Sequence, residues 1–310
     1  MMLGSHPDLA VPFSPTGLWY RYARELPAYD ELTVPAALDR LVSDILAEER
    51  IRLWDVNIEF DEVRSNLPLA DYGAVVQRVH EIYAAKTART HWVLHDIATL
   101  FEMDVANKWF SVAKFVHIVR DARDVALSFC SYKYGSRNLC ETALKWKLAV
   151  HANLKMGSML PSERYRIVRY EDLIAEPEKT LTALCGFIGV PYAAEMLDYA
   201  ETVERKVPRE KMSLWPALRG RPDTAKVGRW RERLPAYKTR ALAEVCGDLL
   251  EGFAYSSDDR SASKAMTELY LQWSLLARGH RMSRMRRRLQ GRRQGRHSVL
   301  PSGGTSAKTI

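Results

Sequence analysis

The stretch Arg120-Asp121-Ala122-Arg123-Asp124-Val125-Ala126-Leu127-Ser128 gathers two arginines, two carboxylates and a serine hydroxyl. A guanidinium presents a planar fork of donors that matches phosphate oxygens, and a serine hydroxyl adds another bond. Asp121 is a good helix N-cap, and Asp124, three residues on, can reach back in the manner of a capping box. Arg120 then stands just before the helix and Ser128 lies on it. The helix N-terminus contributes its own positive end toward an anion. The same residues also suit a set of surface ion pairs around a helix start. Both readings stand on this stretch alone.

The flanking pattern says what must position it. Lys114-Phe115-Val116-His117-Ile118-Val119 is β-branched and aromatic, and Tyr165-Arg166-Ile167-Val168-Arg169-Tyr170 is similar; both read as buried strands leading into helices. That is the pattern of βα units on a parallel sheet, whose ligands sit beyond the carboxyl ends of the strands. Helical spacing places Val75, Val79, Ile82 and Tyr83 on one face of a helix ending near Lys86. Ala143 to Met156 reads as another, with Leu144 and Leu148 inward. Leu181, Leu184, Phe187 and Ile188 mark a third, opened by Pro177 and closed by Gly189. Leu242, Val245, Cys246, Leu249, Leu250 and Phe253 follow the i, i+3, i+4, i+7 rule through a fourth.

Composition narrows the class. With 310 residues and 47% hydrophobic content, the chain suits one large α/β core or two small ones. The cysteines Cys130, Cys140, Cys185 and Cys246 form no C-x-x-C pair and histidines are not clustered, which argues for reduced thiols and against structural zinc. No apolar run reaches the ~18 residues of a membrane span, so a cytoplasmic protein is expected. The net charge of +8 is local. After Glu268 there is no acidic residue, while Arg278, Arg281, Arg284, Arg286, Arg287, Arg288, Arg292, Arg293, Arg296 and Lys308 follow, leaving the body near neutral. Residues 257–310 therefore read as a basic tail, helical at first, with Leu269, Trp273, Leu276 and Met282 on one face, then flexible in Pro301-Ser302-Gly303-Gly304. It is expected to be solvated, with contact to an anionic surface as the sharper reading and specific nucleic-acid binding disfavoured.

The segment from Phe115 to Ser128 resembles the 3'-phosphate-binding element of sulfotransferases that use 3'-phosphoadenosine 5'-phosphosulfate (PAPS). The resemblance implies that Arg120 and Ser128, eight positions apart, both bind the 3'-phosphate. Arg169-Tyr170-Glu171-Asp172-Leu173 followed by Pro177 is similar to the family's "YEDL…P" element, which places Tyr170 near the adenine. Gly228-Arg229-Trp230-Arg231 resembles the family's G-x-W loop over the 3'-phosphate, which brings in Lys226, Gly228 and Arg229. The fold implied is a P-loop nucleoside-kinase-like α/β fold over residues 1–256, a parallel β-sheet flanked by helices. The co-substrate implied is PAPS, with no metal.

Lys86-Thr87 matches the family's "K-T" motif, whose lysine contacts the sulfuryl group or the bridging oxygen. A lysine at a helix C-terminus is also common for reasons of the helix dipole alone. The family's usual bases are not where its pattern puts them: Ala88 follows two places after Lys86, and Pro12-Phe13-Ser14-Pro15 follows His6-Pro7-Asp8. His6, His91, His95 and Asp96 are nearby in sequence, without a signal that promotes any of them. Met1-Met2-Leu3-Gly4-Ser5-His6-Pro7-Asp8 resembles the end of the family's first helix, and no G-x-x-x-x-G-K-[ST] or G-x-G-x-x-G occurs. The expectation is an N-terminally incomplete fold, lacking the loop for the 5'-phosphosulfate, from a late start codon or a truncated gene.

Three functions remain open at this stage. The first is in-line sulfuryl transfer from PAPS to a hydroxyl or amine of a small-molecule or glycan acceptor. The second is a non-catalytic relative, or truncated product, that binds adenosine bisphosphate or a partner. The third is an anionic-surface module led by the tail. A P-loop kinase is disfavoured for want of a lysine-bearing phosphate loop.

Overall fold

The computed structural model describes residues 1–13, 17–29, 32–96, 99–131, 136, 138–207, 223–255 and 263–274, with the backbone only at 99–101. By their contacts they form two compact units: residues 1–120 with 148–227, and residues 121–147 with 228–310.

The first unit opens with α1 (Met2–Ser5), β1 (Leu9–Ala10), α2 (Leu18–Glu25), α3 (Pro35–Ala47), α4 (Glu49–Arg52), α5 (Phe60–Arg64) and α6 (Tyr72–Lys86). Pro35 starts α3, where its missing N–H costs nothing. The Asp71 carboxylate accepts the Ala74 N–H and caps α6. Val75, Val79, Ile82 and Tyr83 are buried, as the helical spacing predicts. They join Leu38, Leu41, Val42 and Ile45 of α3 and Trp19 of α2 in one apolar cluster. Trp19 is thus core.

The strands follow the same logic of burial. β2 (His91–Trp92) pairs parallel with β1, Leu9 opposite His91. After α7 (Thr99–Trp109) comes β3 (Phe115–Val119). The second unit then takes α8 (Ala122–Ser131) and the start of α9 (Leu139–Gly157). Back in the first unit, β4 (Tyr165–Arg169) lies parallel to β3 with Val119 opposite Arg169. It runs directly into α10 (Tyr170–Ala175) and α11 (Pro177–Ile188), and α12 (Ala200–Lys206) follows. Gly189 ends α11 with φ at 99°, a backbone region that a side chain disfavours. Leu9 of β1, Val93 just after β2, and Val116 and Val168 of the second strand pair all pack in the cluster built on Leu181 and Leu184 of α11.

The second unit contains α8, the first part of α9, α13 (Trp230–Arg233), α14 (Ala236–Cys246), α15 (Asp248–Gly252) and a helix over 264–274. Two expectations need correction. The spacing from Leu242 to Phe253 does not make one helix: Gly247, at φ 42° and ψ −117°, breaks it in two. Leu148 is not inward. It is exposed and Leu144 half-buried, while Ala143, Trp146, Ala149 and Val150 face inward. The buried line of α9 therefore runs through Ala143, Trp146 and Val150, turned away from Leu148. The helix over 264–274 is tied down by the Asn138 side chain, which donates to Ser274 O at 2.9 Å, and by Tyr270 against Tyr237. Leu269 and Trp273 on it are exposed. Leu276, Met282 and the tail arginines lie outside the described residues. Among the described residues no helix is long and apolar enough to cross a membrane.

Candidate functional site

Arg120 follows β3 and Tyr170 follows β4, so pairing the two strands in register brings both to one edge. The Arg120 guanidinium carbon lies 4.5 Å from the centre of the Tyr170 ring, a cation–π contact. Its Nη2 donates to the Lys226 carbonyl at 2.6 Å. Three residues of the sequence-derived set, Arg120, Tyr170 and Lys226, thus meet within the first unit. The Lys226 amine lies 3.9 Å from the Asp223 carboxylate, and Asp223 also accepts the Ala225 N–H.

In the second unit the turn after Arg120 is locked by its own side chains. Asp121 is an N-cap, as expected, accepting the Arg123 N–H at 2.9 Å. It also receives the Arg123 guanidinium, with Nη2 to Oδ2 at 2.7 Å. The reading as surface ion pairs is overturned for these residues: Asp121, Arg123 and Asp124 are all buried, Arg123 completely. Where the sequence reading sends Asp124 back to the helix start, the structure directs both its oxygens to a distant loop. They accept Gly228 N–H at 2.7 Å and Trp230 N–H at 3.0 Å. Gly228 adopts φ 74°, the left-handed region that favours glycine. Arg123 completes the arrangement, its guanidinium carbon 3.6 Å from the Trp230 ring centre. Sequence reasoning missed this clamp. The available signal was the pair of motifs itself, an acidic residue in the turn and a G-x-W loop whose N–H groups needed acceptors. Ser128 and Arg229 are exposed, Ser128 one turn before the end of α8 and Arg229 between Gly228 and Trp230.

Lys86 ends α6 and is engaged with other groups. Its Nζ donates to the Asn57 carbonyl at 2.8 Å and to the Glu62 carboxylate at 2.7 Å. That bond, with the Glu59 N–H, holds the Glu62 carboxyl below the usual carboxylate range. Asn57 lines an open pocket of about 380 Å³ with Ile51, Trp54, Asp55, Val56 and Ile58.

The histidines separate by environment. His6 is buried, donating from Nε2 to Pro191 O at 2.7 Å while Nδ1 accepts the Asp8 N–H, so it is structural. His80 and His117 are also buried, and desolvation pushes each down to about 4. His95 presents an exposed edge, yet surrounding atoms desolvate its ring enough to lower its pKa. None of the four cysteines is in a disulfide, and burial pushes Cys246 up to about 12. Cys140, Cys185 and Cys246 are buried with their thiols pushed up, which suits packing groups rather than nucleophiles.

Strand, charged turn and helix on parallel strands are the parts of an α/β fold. A model of the sulfotransferase family matches residues 1–194, and the chain belongs to that family. Among solved structures it is similar to the sulfotransferase domain of the Synechococcus PCC 7002 olefin synthase. The two share 23% identity at a TM-score of 0.53, over 83% of this chain and 89% of that one. It is also similar to the sulfotransferase domain from the curacin biosynthetic pathway, with 17% identity and a TM-score of 0.58, over 83% of this chain and 92% of that one. At such identities these neighbours show the α/β sulfotransferase fold. No curated protein matches the chain.

Proposed function

We propose that the chain binds PAPS and transfers its sulfuryl group to a hydroxyl or amine acceptor. The observation that carries this reading is the grouping of Arg120, Tyr170 and the Lys226 carbonyl at the carboxyl edge of the β3–β4 pair. An arginine held on an aromatic ring presents its fork with little rotamer freedom left to lose, which favours a phosphate on a ribose whose base lies near the same ring. The sequence resemblance adds Ser128, Gly228 and Arg229 to this reading as candidate phosphate-binding residues. No metal is required by it, since sulfuryl transfer rests on in-line positioning and on cations facing the oxygens that gain charge.

The engagement of Lys86 with Glu62 and Asn57 favours a second reading, a relative that holds adenosine 3',5'-bisphosphate without transferring anything. The two are separated by measurement. Adenosine 3',5'-bisphosphate raises the thermal midpoint in both, and Arg120→Ala removes most of that rise, with Kd weakened roughly 10- to 100-fold for a lost charge-assisted phosphate contact. Consumption of PAPS occurs only in the first. A midpoint shift that is unchanged in Arg120→Ala overturns the phosphate assignment in either form.

A further inference from the structure

The helix over 264–274 carries three faces, and only one of them is buried. Ser263 starts the helix, its Oγ accepting the Met266 N–H at 3.4 Å. Thr267 and Ser274, seven residues apart and so on one side, are buried, with Tyr270 and Leu271 half-buried beside them. That side is fixed to the second unit by the Asn138 bond to the Ser274 carbonyl and by the Tyr270 ring, edge-on to Tyr237 with centres 5.7 Å apart. Lys264, Glu268 and Gln272, at i, i+4 and i+8, make an exposed polar stripe. Met266, Leu269 and Trp273, at i, i+3 and i+7, make the third face, and they are 51%, 68% and 58% exposed.

Three large apolar side chains in line on a fixed helix form a patch, unlike apolar residues scattered singly, and such a patch marks a contact surface. Its rim and the sequence after it say what the contact is. Trp273 lies stacked on Tyr270, ring centres 6.2 Å apart at 24°. The Lys238 ammonium sits 5.6 Å from the Tyr270 ring centre. Aromatic rings with an apolar body and a polar edge, next to a lysine, suit the headgroup level of a bilayer. The residues that follow the helix carry nine arginines from Arg278 to Arg296 and no acidic side chain. A second copy seated on the patch would set that run of cations against its own, whereas an anionic surface attracts it.

Independently of the nucleotide reading, we propose that the face of Met266, Leu269 and Trp273 docks on an anionic lipid bilayer. The three side chains enter the boundary between headgroups and acyl chains, and the helix lies along the surface with its polar stripe toward water. The arginines that follow hold the protein there by attraction to the lipid charges. Either contribution alone gives marginal, reversible binding, and the two together give a stable one.

The test uses the full chain with vesicles of phosphatidylcholine alone or mixed with phosphatidylserine. Co-sedimentation is expected with the mixed vesicles and not with phosphatidylcholine alone. Leu269→Gln combined with Trp273→Gln, both at exposed positions, is expected to weaken it about 10- to 100-fold. A second readout does not depend on that variant. Lipid brominated high on its acyl chains should quench tryptophan emission of the bound parent, and most of that quenching should vanish in Trp273→Phe, which still binds. Equal binding by the double variant, or emission that brominated lipid leaves unchanged, overturns the docking face and leaves the tail a purely electrostatic tether. A chain that ignores both kinds of vesicle also overturns it. If light scattering then shows a dimer that the double variant breaks, the face belongs to a second copy.

Discussion

Asp124 holds the backbone of Gly228, 104 residues away in sequence, through a 2.7 Å bond from its N–H, and with the same carboxylate accepts the N–H of Trp230. A buried carboxylate serving two backbone donors fixes the loop's shape whatever the side chain at 229. The G-x-W loop is therefore built from the turn at 121–124 as much as from its own residues.

Asp124→Ala leaves two backbone N–H groups without that acceptor. The expected loss is roughly 2–5 kcal/mol of stability, read as a lower urea midpoint with little change in slope. Asp124→Asn, which keeps one carbonyl acceptor, should recover part of it.

Gly157 closes α9 directly against the Tyr165 ring, and a methyl group at 157 would overlap the ring carbons. Tyr165 cannot swing away freely, because its hydroxyl is bonded to His117 Nδ1 at 2.7 Å. Gly157→Ala is expected to cost about 1–3 kcal/mol through overpacking. Adding Tyr165→Leu should return part of that loss in a double-mutant cycle.

His80 and His117 both titrate near 4 in the folded chain, against an ordinary 6.5, because burial disfavours their charged forms. Between these values the unfolded chain binds more protons than the folded one, so stability falls as pH drops from about 6.5 toward 4. Urea midpoints at pH 7 and pH 5 check this. A His117→Phe variant, which has no proton to take up at that position, should lose less between them than the parent.

Lys206 is buried on the Val11 carbonyl at 2.8 Å, and desolvation lowers it to about 8, with Asp55 opposing the shift. Here too the unfolded chain binds the extra proton, from about pH 8 up to the ordinary lysine value, so stability rises with pH across that window. In Lys206→Met the rise between pH 7.5 and 9.5 should flatten.

The arginine-rich tail is expected to add affinity for vesicles carrying anionic lipid. Deleting residues 278–310 should remove salt-sensitive co-sedimentation with phosphatidylserine vesicles and leave nucleotide binding unchanged. Equal sedimentation of both proteins would assign the tail no surface role.

Several parts of this fold were legible because a local rule sufficed. The β3 and β4 runs announce themselves by β-branched residues, α6 and α11 by helical spacing, and the end of α11 by Gly189. The two-residue strands β1 and β2 carried no such signal, since their pairing depends on Leu9 and Val93 reaching a shared core. Gly247 defeated the spacing rule because apolar periodicity is blind to one backbone dihedral pair. The residue types in the 120–128 turn and in the G-x-W loop pointed to phosphate chemistry from sequence alone.

What only the tertiary structure decided is which partner each of those residues takes. Asp121 and Arg123 are bound to each other and Asp124 to the Gly228–Trp230 loop, all buried, Lys86 is engaged by Glu62, and Arg120 lies on Tyr170 and bonds to the Lys226 carbonyl. Sequence names donors and acceptors. Partners more than a hundred residues apart are chosen by packing, because a charge taken out of water must be satisfied by whatever the fold brings within about 3 Å.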